Sequence, residues 1–239
     1  MSISKNLQLV QHRIANSAQA AGRDPASITL LAVSKTFDVQ AVLAAAQAGQ
    51  RAFGENYVQE AIDKIAATRD MRDMREHNPD LQLEWHFIGP IQSNKTRQIA
   101  EHFDWVHSVD RLKIAQRLSE QRPADMPPLQ ICLQVNVSGE ATKSGLEPDV
   151  LLELARAVVL LPNIRLRGLM AIPEPTEDVQ QQRAAFAKLR FMQNDLQALG
   201  IQTDTLSMGM SADMDAAIAE GATIVRIGTA IFGVRDYAK

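Results

Sequence analysis

Short apolar or alternating runs recur along the chain, and stretches with helical spacing separate them. Candidate strands fall at 28–34 (ITLLAVS), 51–55 (RAFGE), 84–89 (EWHFIG), 105–109 (WVHSV), 129–137 (LQICLQVNV), 165–172 (RLRGLMAI), 203–208 (TDTLSM) and 223–228 (TIVRIG). Ahead of them the N-terminus reads as an amphipathic helix, with Leu7, Val10, Ile14 and Ala18 on one face. Between the strands, 38–49 opens on Asp38 as a cap and closes on Gly49. The stretches 149–161 and 180–200 carry helical spacing of apolar residues, and 211–221 again opens on a cap residue and ends on glycine.

Eight strands, each followed by a helix or by the chain end, predict a (β/α)8 barrel with an extra N-terminal helix. The 239 residues are close to the roughly 250 typical of that fold. A doubly wound open sheet is the runner-up, but no G-x-G-x-x-G follows the first strand. No linker or low-complexity stretch divides the chain, so residues 1–239 are expected to form a single domain. The charged, proline-containing segment 68–82 fits a surface excursion before the third strand.

Composition narrows the classes of function. Net charge is −3 and the 25 basic residues are dispersed, which gives no electrostatic case for nucleic acid. No apolar run approaches the roughly 20 residues of a membrane span, and the N-terminus lacks the pattern of a secretory signal. The single cysteine, Cys132, excludes a disulfide framework and a cysteine metal cluster, and it reads as a buried structural thiol. These features predict a soluble cytoplasmic protein without a metal site.

In a barrel of this kind the chemistry sits at the C-terminal ends of the strands. The first strand runs into Ser34 and Lys35, the second into Glu55, Asn56 and Tyr57, the third carries His86, and the fifth leads to Asn136 and the loop 138–145. The seventh runs into SMGMS, with Ser207 and Ser211 around a glycine, and the eighth carries Arg226 and ends in Gly228 and Thr229. Barrel ligands often have their phosphates held by the loops after strands 7 and 8. Ser211 alone reads as a helix cap and Gly228 alone as a turn, but together at these positions they predict a phosphate cup. Lys35 alone reads as a solvated lysine. Opposite a phosphate cup it becomes a candidate amine for a Schiff base, because partial desolvation favours the neutral form that attacks a carbonyl.

An aldehyde, an amine and a phosphate together point to pyridoxal 5′-phosphate. Arg226, two residues before Gly228, is then the candidate neighbour of the pyridine nitrogen. A guanidinium cannot accept a proton from the ring, so it favours an unprotonated nitrogen and a poor electron sink. The plainer reading of Arg226 is a structural ion pair. A Schiff-base aldolase acting on a sugar phosphate fits the barrel, the lysine and the cup equally well.

The motifs AVSKT (32–36), FGENYVQE (53–60), WHFIGPIQSNK (85–95), QVNVSGEATKSG (134–145), GLMAIP (168–173), LSMGMSADMDAAI (206–218) and VRIGTAIFG (225–233) resemble those of the pyridoxal phosphate homeostasis protein family. That family shares its fold with the N-terminal domain of bacterial alanine racemase. Asp38 stands where many relatives are expected to have proline, and either residue suits a helix start. The resemblance implies that Lys35 forms the Schiff base and that Arg226 lies near the ring nitrogen. It implies that Ser211, Gly228 and Thr229 hold the phosphate, that Ser207 supports Arg226 or the phosphate, and that Asn56 lies near the ring's hydroxyl side.

It also implies a carrier of the cofactor, without robust catalysis, rather than an amino-acid racemase, the alternative. A racemase of this fold needs a second acid/base on the opposite face, which alanine racemase takes from a C-terminal domain. This chain is expected to carry none, since it ends soon after the eighth strand. Tyr57 and His86 are the candidates within the barrel, against bland readings as a packing tyrosine and a hydrogen-bonded histidine near the core. Apo-enzymes that need pyridoxal phosphate are the expected recipients, exposed lysines such as Lys143 offer looser holding points, and a monomer is the expected state.

Overall fold

The computed structural model describes residues 2–70, 82–138 and 144–234. Eight parallel strands close into a barrel in chain order: β1 (Thr29–Val33), β2 (Ala52–Glu55), β3 (Glu84–Phe87), β4 (Trp105–Val109), β5 (Leu129–Gln134), β6 (Ile164–Met170), β7 (Thr205–Ser207) and β8 (Ile224–Ile227). The closure is made by β8 on β1, with Leu31 paired to Arg226. The helices are α1 (Ile3–Ala20), α2 (Val39–Gln47), α3 (Val58–Asp70), α4 (Thr96–His102), α5 (Leu112–Gln121), α6 (Leu151–Val158), α7 (Val179–Ala198), α8 (Met214–Ala219) and α9 (Thr229–Phe232). The (β/α)8 barrel with an added N-terminal helix is therefore the fold.

All four residues expected on the inner face of α1, Leu7, Val10, Ile14 and Ala18, are buried, and the helix lies against α2, α8 and α9. Burying Leu7, Val10 and Ile14 contributes roughly 1.5–3 kcal/mol each. The half-exposed Arg13–Asp215 ion pair between this helix and α8 adds at most about 1 kcal/mol, so the apolar face docks α1. Asp38 caps α2 as expected, its Oδ1 accepting from the Ala41 amide at 3.0 Å, and Gly49 ends the helix at φ +99°.

Most strands are shorter than the apolar runs that announced them. β3 stops at Phe87 and β5 at Gln134, where the chain turns to pair with its own returning loop. There Leu146 N donates to Gln134 O at 2.8 Å and Asn136 N to Leu146 O at 2.9 Å. β6 starts one residue earlier than expected and ends at Met170, ahead of Pro173 and Pro175. The expected excursion at 68–82 lies largely outside the described residues, as does Lys143.

Two apolar cores follow from period-two alternation. The larger fills the space between strands and helices. The smaller, Leu31, Ala52, Trp105, Cys132, Met170 and Ile224, takes one residue from each of six strands, which places it inside the barrel. Cys132 is fully buried there, and burial pushes its thiol up to about 12, so it is an inert packing residue as expected.

Candidate functional site

The interior core continues toward the C-terminal ends of the strands as a polar layer. His107 lies two residues beyond Trp105, Arg226 two beyond Ile224, and Ser207 ends β7. His86, His107, Ser207 and Arg226 are all nearly or fully buried. Arg226 Nη1 donates to Ser207 O at 2.6 Å and to Ser207 Oγ at 2.8 Å, and Nη2 donates to Ala171 O at 2.9 Å. All these acceptors are neutral, so among the described residues Arg226 does not form the ion pair of the plainer expectation. Burial pulls its pKa down to about 10, which leaves it cationic at neutral pH. Three of its five N–H groups are bonded to the described residues; Nε–H and one Nη2–H remain for an acceptor on a ligand.

Lys35 lies two residues beyond the end of β1, in a turn whose next residue, Thr36, has φ +70°. A buried network fixes that turn from below. Lys64 Nζ donates to Ser34 O at 2.8 Å, Glu55 Oε1 at 2.8 Å and Glu60 Oε1 at 2.6 Å. Ser34 Oγ donates to Glu55 at 2.7 Å, and Glu60 accepts from the Thr36 amide at 2.6 Å. The residues on both sides of Lys35 are thus tied to one ammonium group. Desolvation raises the pKa of Glu55, opposed by Lys64 and Ser34. Asn56 follows β2, with Gly89 packed so closely on its backbone that any β-carbon there would collide with the Asn56 carbonyl. Its Oδ1 is buried and makes no hydrogen bond to the described residues.

The loop after β7 is joined by backbone bonds to strand β8: Met208 N donates to Ile224 O at 3.1 Å and Arg226 N to Gly209 O at 2.9 Å. Gly209 has φ +95°, and a β-carbon on it would sit 2.5 Å from Ala217 Cβ, so only glycine lets this loop lie on α8. Ser211 is half-buried and its carbonyl accepts from Arg13 Nη1 at 2.9 Å, which braces the loop against α1. The helix expected to start at Ser211 starts later: Asp213 is the residue before α8, and its Oδ1 accepts from the Met210 amide at 2.6 Å. Gly228 is buried at the start of α9 and Thr229 is exposed beside it.

The structure thus gathers the two halves of the predicted site. Ser207 and Arg226 are in direct contact, the loop that leads to Ser211 is bonded to β8, which runs into Gly228–Thr229, and β1, the strand next to β8, leads to Lys35. Of the barrel's candidate acid/base groups, Tyr57 is 53% exposed rather than packed. His86 is a hydrogen-bonded interior residue stacked on Trp105, both ring nitrogens engaged by Glu84 and His107. The loop 139–143 after β5 lies outside the described residues. Sequence reasoning missed His107, Glu84 and Lys64. Alternation in WVHSV puts His107 on the face of Trp105, and Glu84 shares a face with His86, so two of the three could have been found. Lys64 carried no such pattern.

The chain matches the alanine racemase N-terminal domain family over residues 6–236. It is 65% identical to a Pseudomonas aeruginosa protein named pyridoxal phosphate homeostasis protein, covering 99% of this chain and 97% of that one. The solved structure of PipY from Synechococcus elongatus with pyridoxal phosphate bound superposes with a TM-score of 0.79 at 38% identity, covering 97% of this chain and all of PipY. Alanine racemase from Corynebacterium glutamicum shares only the fold, at 18% identity and a TM-score of 0.64, and this chain spans 62% of it. With close likeness along nearly the whole chain, this protein belongs to the pyridoxal phosphate homeostasis protein family.

Proposed function

We propose that the protein binds pyridoxal 5′-phosphate at the mouth of the barrel and holds it for delivery to other proteins, without robust turnover. The observation that carries this reading is Arg226, a buried guanidinium with neutral hydrogen-bond partners and two spare N–H groups among the described residues, on the strand next to the one that leads to Lys35. When bound, the cofactor supplies an aldehyde, a phosphate and a ring nitrogen whose protonation sets its power as an electron sink. In this reading Lys35 gives the amine that takes the aldehyde. Ser211, Gly228 and Thr229 take the phosphate. Asn56, with its unpartnered Oδ1, lies toward the ring hydroxyl, and Ser207 holds Arg226 in place. Arg226 only donates, so it keeps the ring nitrogen unprotonated and the α-carbon of a bound amino acid weakly activated.

His86 does not serve as an opposite-face acid in this reading, because both its ring nitrogens are engaged inside the barrel. Recipients are apo-enzymes that need pyridoxal phosphate. The exposed large apolar residues, such as Leu9, Leu160 and Phe191, are scattered along the chain, on α1, in the turn after α6 and on α7, which supports a monomer. Among the described residues no helix is long and apolar enough to cross a membrane. A cytoplasmic setting suits the recipients, and residues 1–239 act as one domain.

The test combines three measurements on the full chain. Loading with pyridoxal phosphate, reduction with borohydride and mass spectrometry should place the adduct on Lys35; an adduct only on another lysine overturns the assignment. Loaded protein mixed with a cofactor-requiring apo-enzyme should restore its activity, and Lys35→Ala should change the rate or extent. Incubation with L-alanine in deuterated water should show very slow loss of the α-proton by NMR. Exchange near the median enzyme's roughly 10 per second overturns the carrier reading.

A further inference from the structure

A continuous file of hydrogen bonds crosses the barrel interior from one end to the other. Arg226 Nη1 meets Ser207 Oγ at 2.8 Å, Ser207 Oγ meets His107 Nδ1 at 2.7 Å, His107 Nε2 meets His86 Nδ1 at 2.8 Å, and His86 Nε2 meets Glu84 Oε1 at 2.7 Å. Glu84 opens β3 at the end of the barrel away from Lys35 and borders a cleft of about 520 Å3 between Arg51, Arg122 and Gln130. The two ends differ in chemistry. Arg226 can only donate, and an ionised Glu84 can only accept.

Those end conditions fix every proton between them. Ser207 Oγ accepts from Arg226, so its hydroxyl is available to donate to His107 Nδ1. His107 then carries its proton on Nε2 and donates to His86 Nδ1, and His86 carries its proton on Nε2 and donates to Glu84. The opposite direction sets a bare His86 Nε2 lone pair against the Glu84 carboxylate. A doubly protonated His86 reverses the central link and leaves the buried Ser207 hydroxyl without its acceptor. Among the described residues only the forward arrangement satisfies all donors, and it joins the Arg226 cation, whose direct hydrogen-bond partners are neutral, to a carboxylate by dipoles aligned in one direction.

We propose that Glu84, His86 and His107 are positioning residues for Arg226, forming with Ser207 a one-way relay that orients the guanidinium presented to the cofactor ring. The hydrogen bond from His86 is the main influence holding Glu84 below the usual carboxylate range, and burial, with the Arg226 charge nearby, keeps His107 well below the usual histidine range. The first agrees with an ionised acceptor and the second with a neutral His107. The other charged or titratable groups facing the relay are Asp104 and Arg167 at its outer end and Asp213 and Cys132 at its inner end. Stacking of His86 on Trp105, with Arg167 over the indole 4.8 Å from its centroid, fixes the ring plane that the relay needs.

The part concerning the ring rests on the proposed cofactor, and the test separates the two. Full-length protein labelled with 15N-histidine, without cofactor, is studied by long-range 1H–15N correlation at neutral pH, with His86→Gln and His107→Gln for assignment. Both rings should be fixed in the Nε2–H tautomer; a proton on His107 Nδ1 or averaging between tautomers overturns the relay. Glu84→Ala, which touches no cofactor, should unlock the His107 tautomer two hydrogen bonds away and raise the dissociation constant for pyridoxal 5′-phosphate about three- to tenfold. Glu84→Gln still offers an acceptor and should keep both within about twofold of the parent. An unchanged His107 tautomer in Glu84→Ala, with the fold intact by circular dichroism, overturns the proposal. If the parent fails to bind pyridoxal phosphate, the cofactor reading fails and the relay is judged on the NMR data alone.

Discussion

Lys64 Nζ and Glu55 Oε1 form a buried ion pair at 2.8 Å beneath the turn that carries Lys35. Because Lys64 also holds Ser34 O and, through Glu60, the Thr36 amide, this pair fixes the backbone on both sides of Lys35. Lys64→Met should leave Glu55 uncompensated and cost about 3–5 kcal/mol. Lys64→Met with Glu55→Gln should recover much of that loss, since removing both charges avoids the unpaired one. Urea unfolding of the single and double variants measures the difference. Equal losses in both would mean the pair has no structural role.

The phosphate cup has a separate prediction. Ser211→Ala with Thr229→Ala should weaken retention of pyridoxal phosphate by removing charge-assisted hydrogen bonds worth roughly 1.5–3 kcal/mol each. Pyridoxal, without the phosphate, should bind the parent poorly and be indifferent to the substitutions. Equal binding of pyridoxal and its phosphate by the parent would place the cup elsewhere.

Gly209→Ala tests the loop that carries Ser211. The new methyl meets Ala217 Cβ at 2.5 Å with the backbone at φ +95°. Strain and overpacking together should destabilise the protein by about 1–3 kcal/mol. Cofactor affinity should fall with it, because Gly209 O also accepts from Arg226 N. Thermal unfolding with a parallel cofactor titration reads both; an unchanged melting temperature would show that the loop shifts freely.

The pH dependence of stability has a defined sign at Glu84. Its folded pKa is depressed, chiefly by the His86 hydrogen bond. A depressed carboxylate contributes stability that is present above its unfolded value, about 4.3, and is lost as pH falls through the folded value. The side chain is 48% exposed, so solvent screening limits the effect to about 1 kcal/mol or less. Glu84→Gln should therefore melt about 2–4 °C or less below the parent near neutral pH and converge with it as pH falls through the folded value of Glu84. A constant gap across that range would exclude the carboxylate as its cause.

Alternating strand and helix periods, Asp38 as a cap and the apolar face of α1 were legible in the sequence, because each depends on neighbours a few residues apart. So was the grouping of Lys35, Ser207, Ser211, Arg226, Gly228 and Thr229 at strand ends, since the barrel places those ends together whatever the details of packing. Strand lengths were not, because β5 ends where a loop returns to pair with it, a contact between Gln134 and Leu146. The partners of Arg226, the clamp of Lys64 on the Lys35 turn and the file from Glu84 to Ser207 were decided only by the tertiary structure. These are hydrogen bonds between different strands and helices, made in a closed interior where alternation says which side chains point inward but not which of them meet. His107 and Ser207, one hundred positions apart, are joined only because the closed barrel brings β4 and β7 to face each other across its interior.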